Sequence, residues 1–364
     1  MSRPRSRAAG ALLTLAAAAC SGGSTGPPIT GNPPPPRPLL SPTYRPSGHM
    51  AAGDVFVHLF EWKWTDIAPE CETVLGPAGF AAVQVSPPEE HSITPNHDWS
   101  ERYQPVRYNI ARSRSGTQAE FTDMVSRCAA VGVGDKFRQI GGQHISQLNP
   151  NGSPGNQFSP TAWGLMPPDK AVVFLQNHDT QHQCGISYRD GNVFRVANVW
   201  VLAQPYGYPS ILSSYAFNCP AENSMGPPSD ANGWTVAVNC ASSLETATDG
   251  EWVCEHRDPY LRGMVAFRKL VAGSDVNDWW DDGANAIAFS RGNRGFVAIS
   301  REGVPVDTTI TTGMPPGTYC DILTGGLVMG SCVGAALVVD SSNAVHVHLA
   351  SNTAVAIDAA TKLP

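Results

Sequence analysis

The chain has 364 residues, of which 42% are hydrophobic and 15% charged, so it is long enough for two domains with a sizeable core and does not have the composition of a disordered protein. Its formal net charge is −7, and Lys and Arg form no cluster after the first seven residues. This argues against nucleic acid as a partner, because phosphate binding requires a basic patch.

The N-terminus has the composition of an export signal. Three arginines within residues 1–7 precede a run of small and apolar residues, which is typical of a secretory signal peptide and too short for a membrane span. The run ends at Cys20, followed by Ser21 and Gly22, and so resembles the lipobox of bacterial lipoproteins. This resemblance implies a signal over residues 1–20 and a membrane anchor on a lipidated Cys20. The alternative is a plain secretory signal with an incidental cysteine.

Residues 21–50 are predicted to form an extended tether, because Gly, Ser and Pro dominate the segment and leave almost nothing to bury. Export also predicts an oxidising compartment, in which disulfides persist. Eight cysteines follow Cys20, an even number that allows four disulfides: Cys71, Cys128, Cys184, Cys219, Cys240, Cys254, Cys320 and Cys332.

The first part of the ordered chain alternates buried strands with helices. Nearly continuous apolar runs predict strands at 54–62, 79–87, 171–176 and 208–217, a character typical of a parallel sheet covered by helices. A capping box from Thr117 to Glu120 opens a helix that stops at Gly132.

The pattern changes after a second helix. Asp258 and Pro259 begin that helix, which Gly273 ends, and its apolar face is predicted to hold Tyr260, Met264, Phe267 and Val271. Short alternating strands follow, with a hairpin over 284–300 that turns at 291–295. The sequence therefore predicts a (β/α) barrel over 51–273 and an all-β domain over 274–364.

Several segments, read in order, resemble α-amylases of glycoside hydrolase family 13, of the type found in animals and some bacteria. They cover most of residues 53–335 and include VFVHLFEW, GFAAVQVSPPEEH, ERYQPVRYNIARSRSG, AVVFLQNHDTQ, WVCEHRDPYLRGMVAFR and FSRGNRGFVAISREG. The resemblance implies a (β/α)8 TIM barrel with a Greek-key-like C-terminal domain. It also implies endo-hydrolysis of α-1,4-glucosidic bonds in starch, glycogen and maltooligosaccharides, with retention at the anomeric carbon.

The FLQNHDTQ segment carries the implied catalytic residues. Asp179 and His178 match the pair with which the family holds sugar hydroxyls on the distorted ring, and they follow a barrel strand, where active sites of this fold lie. Without the resemblance, the alternative for this His-Asp pair is a carboxylate that caps a loop.

The DWSERYQP segment carries the implied substrate contacts. Trp99, Tyr103 and Gln104 match family positions that stack on glucose or hydrogen-bond to it, and Ser100 stands where the family often has a second tryptophan. His58, in VFVHLFEW, is either a further sugar contact or a packed histidine of the barrel.

Three family segments have no counterpart in the sequence. They are RxDAxKH with the nucleophile, the strand that ends in the acid/base glutamate, and the DxVxNH segment that supports calcium. Residues 134–170 leave 37 positions for four strand-helix units, whereas a single βαβ crossover takes about 30. We therefore expect an internal deletion near Gly134 that removes strands three to six, the nucleophile and the acid/base. Glu61, Glu89 and Glu90 are the alternative carboxylates at the barrel mouth.

The cofactors and disulfides of the family are affected in different ways. Calcium is expected for the family, but its ligands are predicted to be missing with the deleted segment, and Asn192 stands where a chloride site needs a basic residue.

The resemblance implies disulfides Cys71–Cys128, Cys240–Cys254 and Cys320–Cys332. Cys184 and Cys219 are then left over on loops that neighbour each other in a barrel, which predicts a fourth bridge.

Three functional hypotheses follow. The chain is an α-amylase by ancestry, a starch-binding lipoprotein that hydrolyses nothing, or a truncated product whose open barrel exposes strand edges and does not fold stably.

Overall fold

A computed structural model describes residues 50–107, 109–131, 149 and 165–364 of the chain, and its first part alternates strands and helices. Its strands before residue 274 are β1 Phe56–Leu59, β2 Ala82–Val85, β3 Glu90–His91, β4 Pro105–Arg107, β5 Arg112–Ser113, β6 Gly116–Thr117, β7 Val172–Val173 and β8 Tyr208–Ser213. Its helices are α1 Trp64–Glu70, which continues through a π-helical turn into α2 Gly76–Ala78, then α3 Gln118–Ala130, α4 His178–His182, α5 Asn192–Ala203 and α6 Pro259–Leu270.

Four of these strands form one parallel sheet, in the order β2-β1-β8-β7. In a closed eight-stranded barrel the first and last strands pair, so this order is that of strands one, two, seven and eight. Within the described ranges, no strand pairs with the outer edge of β2 or of β7. The predicted barrel architecture is confirmed, and the open edges agree with an incomplete barrel. The predicted junction near Gly134 lies outside the described residues.

The parallel strands are shorter than the apolar runs that predicted them. The run at 54–62 leaves the sheet after Leu59, and Glu61 has a left-handed φ of 64° that turns the chain towards α1. Of the run at 171–176, only β7 is a strand. The chain leaves the sheet before Asn177, which caps α4 by accepting a hydrogen bond from the Thr180 amide. Apolar sequence thus predicted burial correctly and strand length incorrectly.

Both predicted helices are present with the expected caps. The capping box of α3 joins Thr117 and Glu120 in both directions, and the helix ends at Ala130, two residues before Gly132. Asp258 caps α6 by accepting a hydrogen bond from the Tyr260 amide at 3.0 Å. On the predicted apolar face of α6, Met264, Phe267 and Val271 are buried, and Tyr260 is half-buried.

The C-terminal part consists of two antiparallel four-stranded sheets and a hairpin. Its strands are β9 Val276–Asp281, β10 Ala286–Arg291, β11 Gly295–Ser300, β12 Val306–Thr311, β13 Gly317–Cys320, β14 Leu327–Val328, β15 Ser331–Cys332, β16 Ala336–Val339, β17 Ala344–Leu349 and β18 Thr353–Asp358. The sheets have the orders β18-β11-β10-β9 and β12-β17-β16-β13, and β14 pairs with β15. The predicted hairpin over 284–300 is formed by β10 and β11.

Alternation along β10 and β11 gives the first of these sheets two buried faces. Ile287 and Phe289 belong to the same core as α5 and α6, whereas Ala288, between them, packs in a second core against the other sheet. The contact with α6 is tight at Gly295, where a Cβ would lie 2.6 Å from the Phe267 ring. The β sheet therefore serves as the middle layer between the helices and the outer sheet.

All four predicted disulfides are present: Cys71–Cys128, Cys184–Cys219, Cys240–Cys254 and Cys320–Cys332. The Cα atoms of Cys184 and Cys219 are 5.8 Å apart, below the separation of about 7 Å beyond which two cysteines cannot form a disulfide. None of the helices in the described ranges is long and apolar enough to cross a membrane.

Candidate active site

The FLQNHDTQ segment reaches the carboxyl edge of the parallel sheet, where β7 gives way to α4. Asn177 and Thr180 cap each other's backbone: the Asn177 Oδ1 accepts from the Thr180 amide at 2.8 Å, and the Thr180 Oγ1 accepts from the Asn177 amide at 2.9 Å. This closed turn fixes His178 and Asp179 in the first turn of the helix. Local capping therefore determines where the two predicted site residues stand.

An aromatic cluster surrounds His178. The Tyr103 ring stacks on the imidazole with centroids 4.6 Å apart and an interplanar angle of 14°, and Phe60 stacks at 5.5 Å and 20°. Trp99 meets the imidazole edge-on at 5.7 Å. Trp99 and Tyr103 belong to one 3₁₀ helix, Trp99–Tyr103, so the structure joins the two sequence segments that were predicted separately.

Asp179 stands at the exposed side of this cluster. Its side chain is 43% exposed, whereas the His178 side chain is 8% exposed, and its Oδ1 lies 3.4 Å from the His178 Nε2. A second weak contact joins its Oδ2 to the Asn177 Nδ2 at 3.4 Å. The carboxylate is therefore held on one side and has accessible surface for a ligand hydroxyl.

The remaining predicted contacts, His58 and Gln104, lie below and beside the cluster. His58 is 2% exposed and meets the His178 ring edge-on at 5.7 Å, and burial, with a smaller contribution from His178, holds its pKa well below the usual value. This environment fits the packed-histidine alternative. Gln104 is exposed, and its backbone is fixed by the carbonyl of Glu101 and the amide of Ser92.

The sequence reasoning missed His182, which lies behind Trp99. Its ring stacks between Trp99 and Phe217, with centroids 4.6 Å from each. Burial lowers the pKa of His182 to about 4, so the ring is neutral at physiological pH. The spacing of four residues from His178, which places both on one face of a helix, was the available signal.

A disulfide links the two loops that lie beside His182. The Cys184–Cys219 disulfide joins the segment after α4 to the segment after β8. Arg189 adds a second tie, because its guanidinium lies 4.4 Å above the Phe217 ring and donates a hydrogen bond to the Phe217 carbonyl at 2.8 Å. Both loops that flank the cluster are thus fixed to each other.

The alternative carboxylates lie in different surroundings. Glu61 and Arg102 are both fully buried and form an ion pair at 3.0 Å; burial raises the pKa of Glu61, and Arg102 opposes that shift. Glu90 lies 3.6 Å from Arg107, and Glu89 is half-buried. Because a retaining glycosidase needs two carboxylates about 5–5.5 Å apart on either side of the sugar, the fully buried Glu61 cannot serve as one of them.

A buried glutamate, Glu255, supports the site from beneath. Its carboxylate accepts hydrogen bonds from the Gln176 Nε2 at 3.0 Å and from the Ser214 amide at 2.8 Å, and so joins the ends of β7 and β8. Burial raises the pKa of Glu255 to about 7. The group positions the strand ends and does not reach the surface.

The described residues do not fit a calcium site. Within the described ranges, no group of three or more His, Cys, Asp or Glu side chains is arranged to hold a metal ion. At the position implied for chloride, the Asn192 Oδ1 accepts from the Arg195 Nη1 at 3.1 Å, and Arg195 also forms ion pairs with Asp258 and Glu245. The nearby positive charge is therefore already balanced by two carboxylates.

Comparison with known proteins agrees with the fold. Residues 278–360 match the family model described as "Alpha amylase, C-terminal all-beta domain". The mouse pancreatic alpha-amylase 2a5 is 28% identical over 485 aligned positions, which cover 84% of this chain and 94% of the mouse protein. The rat pancreatic alpha-amylase is 29% identical over 494 positions, covering 86% of this chain and 96% of the rat protein.

A solved structure gives the same result in three dimensions. The wild-type alpha-amylase I of Eisenia fetida superimposes with a TM-score of 0.72 and 23% sequence identity, covering 85% of this chain and 98% of the Eisenia chain. The β2-β1-β8-β7 strand order, the C-terminal β domain and the near full-length match to pancreatic amylases agree with one another. Over most of its length, the chain is thus similar to α-amylases.

Proposed function

We propose that this chain is a member of the α-amylase family that binds α-glucan, as starch, glycogen or maltooligosaccharide, at the cluster of Trp99, Tyr103, His178 and Asp179, and that it does not hydrolyse the bound glucan. The observation that carries the proposal is the half-exposed Asp179 carboxylate beside the stacked aromatic rings. Aromatic faces suit the apolar face of a pyranose, and a carboxylate accepts hydrogen bonds from its hydroxyls. A mutant of the Eisenia enzyme has been solved in complex with maltohexaose, which supports the choice of ligand.

The absence of turnover is proposed from the length of the chain between β2 and β7. The alignment with the mouse amylase has 485 positions but covers 84% of 364 residues, about 306, so about 180 positions lie opposite a gap in this chain. A gap of that size supports an internal deletion. The family's nucleophile and acid/base segments, which the sequence lacks, would fall within it, and a lone supporting carboxylate cannot carry out double displacement.

The test is to measure binding and hydrolysis on the same preparation. We expect maltohexaose to bind in calorimetry, Trp99→Ala to weaken binding about tenfold or more through loss of a stacking face, and new reducing ends to stay at the level of the buffer. Val106→Ala, an exposed change in the same segment, is the matched control and should bind like the wild type.

The second candidate is an active α-amylase, and the near full-length match to pancreatic amylases favours it. Release of reducing ends that is abolished by Asp179→Asn would establish hydrolysis and contradict the proposal of an inactive binder. Failure of the wild type to bind maltohexaose would contradict both candidates.

For localisation, we propose an exported lipoprotein anchored through Cys20. The four disulfides suit an oxidising compartment, and the AAAAC sequence supports lipidation. In a bacterial host, the protein should fractionate with membranes and incorporate labelled fatty acid, and Cys20→Ser should abolish both. Fully soluble wild-type protein would instead indicate the plain secretory signal.

A further inference from the structure

The Cys184–Cys219 disulfide differs from the other three disulfides in its exposure to solvent. Cys184 is exposed and Cys219 is half-buried. Each of the other three bridges contains at least one buried cysteine, namely Cys71, Cys128, Cys254 or Cys320. A disulfide is opened by a thiolate that must reach one of its sulfur atoms, so exposure decides which bridge reacts most readily. Of the four bridges, Cys184–Cys219 is the most accessible.

This bridge lies next to a stack of rings in the proposed site. Cys184 comes two residues after His182, and Cys219 comes two residues after Phe217. The His182 and Phe217 rings stack with centroids 4.6 Å apart and an interplanar angle of 12°. The His182 ring also stacks on Trp99, with centroids 4.6 Å apart. Opening the bridge would therefore release the two chain segments that carry the stacked rings.

Cys184 also belongs to the C-terminal cap of α4. Its φ is 57°, in the left-handed region that usually holds glycine after a helix. Its amide donates to the Gln181 carbonyl at 3.2 Å, and the Gly185 amide donates to the Thr180 carbonyl at 2.8 Å. These two hydrogen bonds are those of a Schellman motif. A Cβ destabilises this backbone conformation relative to glycine, so the bridge helps to hold Cys184 in it.

The helix that ends at this cap is too short to be stable by itself. It spans only the five residues His178–His182, and isolated helices of this length do not persist in water. Its start is held by the Asn177 cap, and near its end the Gln181 Nε2 donates to the Tyr215 carbonyl at 3.1 Å. Opening the bridge should loosen the end of the helix, at His182, and leave its start in place.

The rest of the molecule would stay connected when this bridge opens. Arg189 still donates to the Phe217 carbonyl at 2.8 Å. The other three disulfides join other pairs of segments. The expected change is therefore local to the end of α4 and the segment after β8, and it is reversible when the bridge forms again.

We propose that the Cys184–Cys219 bridge is a site of thiol–disulfide exchange, which a dithiol opens in preference to the other bridges, and that its opening weakens ligand binding at the adjoining ring cluster. The exchange site rests on the exposure of the bridge and on the cap of α4. The effect on α-glucan rests on the proposed function.

The exchange takes two steps and transfers two electrons. A thiolate of the dithiol attacks the Cys184 sulfur, the bond between Cys184 and Cys219 breaks, and the Cys219 sulfur leaves as a thiolate that takes up a proton. The second thiol of the reductant, once deprotonated, attacks the reductant's own sulfur in the mixed disulfide. Cys184 is released and also takes up a proton. The protein gains two electrons and two protons, and the dithiol becomes a disulfide.

The experiment is graded reduction of the full chain with dithiothreitol, followed by alkylation and peptide mass spectrometry. Cys184 and Cys219 should be labelled at concentrations that leave the other three bridges closed. On the same samples, the imidazole NMR signals of His182 should shift and the maltohexaose affinity should fall about threefold to tenfold. Both changes should reverse on reoxidation. With glutathione in place of the dithiol, the adduct should form on Cys184.

Two double variants test the role of the cap, and a third is the control. Cys184→Ser with Cys219→Ser removes the bridge and should bind maltohexaose as weakly as the reduced wild type. Cys184→Gly with Cys219→Ser also removes it, but glycine favours the left-handed conformation and should restore part of the affinity. Cys320→Ser with Cys332→Ser should respond to dithiothreitol as the wild type does.

The outcomes separate this inference from the proposed function. Earlier opening of another bridge, or a glutathione adduct mainly on Cys219, would overturn the inference. Selective opening that leaves the His182 signals or the maltohexaose affinity unchanged would overturn it as well and leave the proposed binding function intact. A wild type that shows selective opening and the His182 shift, but binds no maltohexaose, would support the exchange site and contradict the proposed function. Equal affinities in the serine and glycine variants would contradict the role of the cap.

Discussion

At the scale of single residues, His182 packs at the centre of the proposed glucan site. It fills the space between Trp99 and Phe217 and is neutral because burial lowers its pKa to about 4. Protonation would place a charge between two aromatic faces and near Arg189, one of the groups that lower its pKa. The site should therefore be intact at neutral pH and should loosen in acid.

This gives the first prediction, on pH. The folded-state pKa of His182 lies below the unfolded value of about 6.5, so the stability it contributes is present above pH 6.5 and is lost as the pH falls through about 4. The loss is at most about 3 kcal/mol. Urea denaturation of the wild type and of His182→Gln at pH 4 to 7 checks it: the variant should show the flatter profile, and parallel profiles would contradict the assignment.

Glu255 gives the second prediction, with the opposite sign. Its folded-state pKa of about 7 exceeds the unfolded value of 4.5, so its favourable contribution is complete below pH 4.5 and is lost as the pH rises through about 7. In Glu255→Gln, stability between pH 5 and 8 should fall less steeply, by up to about 3 kcal/mol. Thermal unfolding across that range measures it. Glu251→Gln should keep the wild-type slope, because hydrogen bonds from Thr248 hold the pKa of Glu251 below its usual value and it does not titrate in this range.

The proximity of the proposed site residues was easier to predict from the sequence than their environments were. Asp179, His178, Trp99 and Tyr103 come together as the resemblance implied, because the segments that carry them resemble the family's. The burial of His58 and the stacking role of His182 depend on rings contributed by several distant segments. No local pattern in the sequence encodes such contacts.

At the scale of elements, caps were predictable and strand ends were not. The reciprocal bonds of Thr117 and Glu120 involve residues three apart, so the sequence alone reveals them. The ends of β1 and β7 depend on which partner strands lie alongside, and an apolar run looks the same whether or not a neighbour pairs with it. Burial is thus a local signal, whereas pairing is a tertiary one.

The third prediction concerns the cap of α3. Thr117→Ala removes the hydroxyl that accepts from the Glu120 amide and should lower the free energy of unfolding by about 1 kcal/mol. Ser126→Ala, on the same helix and also exposed, removes a hydroxyl bonded only to the Thr122 carbonyl and should change stability by less than half as much. Chemical denaturation of both variants measures the two changes in the free energy of unfolding. Equal losses would show that the Thr117 cap stabilises the protein no more than the Ser126 hydroxyl does.

The fourth prediction concerns the Cys184–Cys219 disulfide, which closes a loop over a sequence separation of 35. Replacing both cysteines by serine should cost about 2–4 kcal/mol, because the unfolded chain regains the freedom that the bridge removes. The same change should weaken maltohexaose binding through a looser Phe217 and His182, whereas replacing Cys320 and Cys332 should cost stability without affecting binding. Equal maltohexaose binding in the two double variants would contradict a role for the Cys184–Cys219 disulfide in positioning Phe217 and His182.

At the scale of the whole molecule, two buried arginines, one on α6 and one on the C-terminal sheet, bind main-chain carbonyls around the end of α5. The Arg268 Nη2 donates to the carbonyls of Ala51 and Gly207 at 2.6 and 2.7 Å, and the Arg291 Nη1 donates to the Ala203 carbonyl at the end of α5. Burial lowers the pKa of Arg291 to about 10 and that of Arg268 to about 9, both above neutrality. Both guanidinium groups therefore remain charged and satisfy carbonyls that the end of a helix leaves unpaired.

The fifth prediction follows from Arg291. Arg291→Met leaves the Ala203 and Ser274 carbonyls buried without this donor and should destabilise the protein by about 3–5 kcal/mol. The wild type should unfold in one cooperative transition, and the variant in one transition at a lower temperature. Calorimetry measures both. A wild type without any cooperative transition would instead support the hypothesis of a truncated product that does not fold stably.

The β2-β1-β8-β7 order also determines which strand pairings an internal deletion between β2 and β7 would remove. The strands farthest apart along the chain, β1 and β8, are paired at the centre of the sheet, while the middle of the sequence adjoins its two margins. Shortening the chain between β2 and β7 would trim those margins and break no hydrogen bond between the strands that remain. Deleting the middle of a barrel sequence therefore removes strands from both outer edges of the remaining sheet. The pairing of β1 with β8 is kept, and so is the carboxyl edge of the sheet at which the proposed site lies.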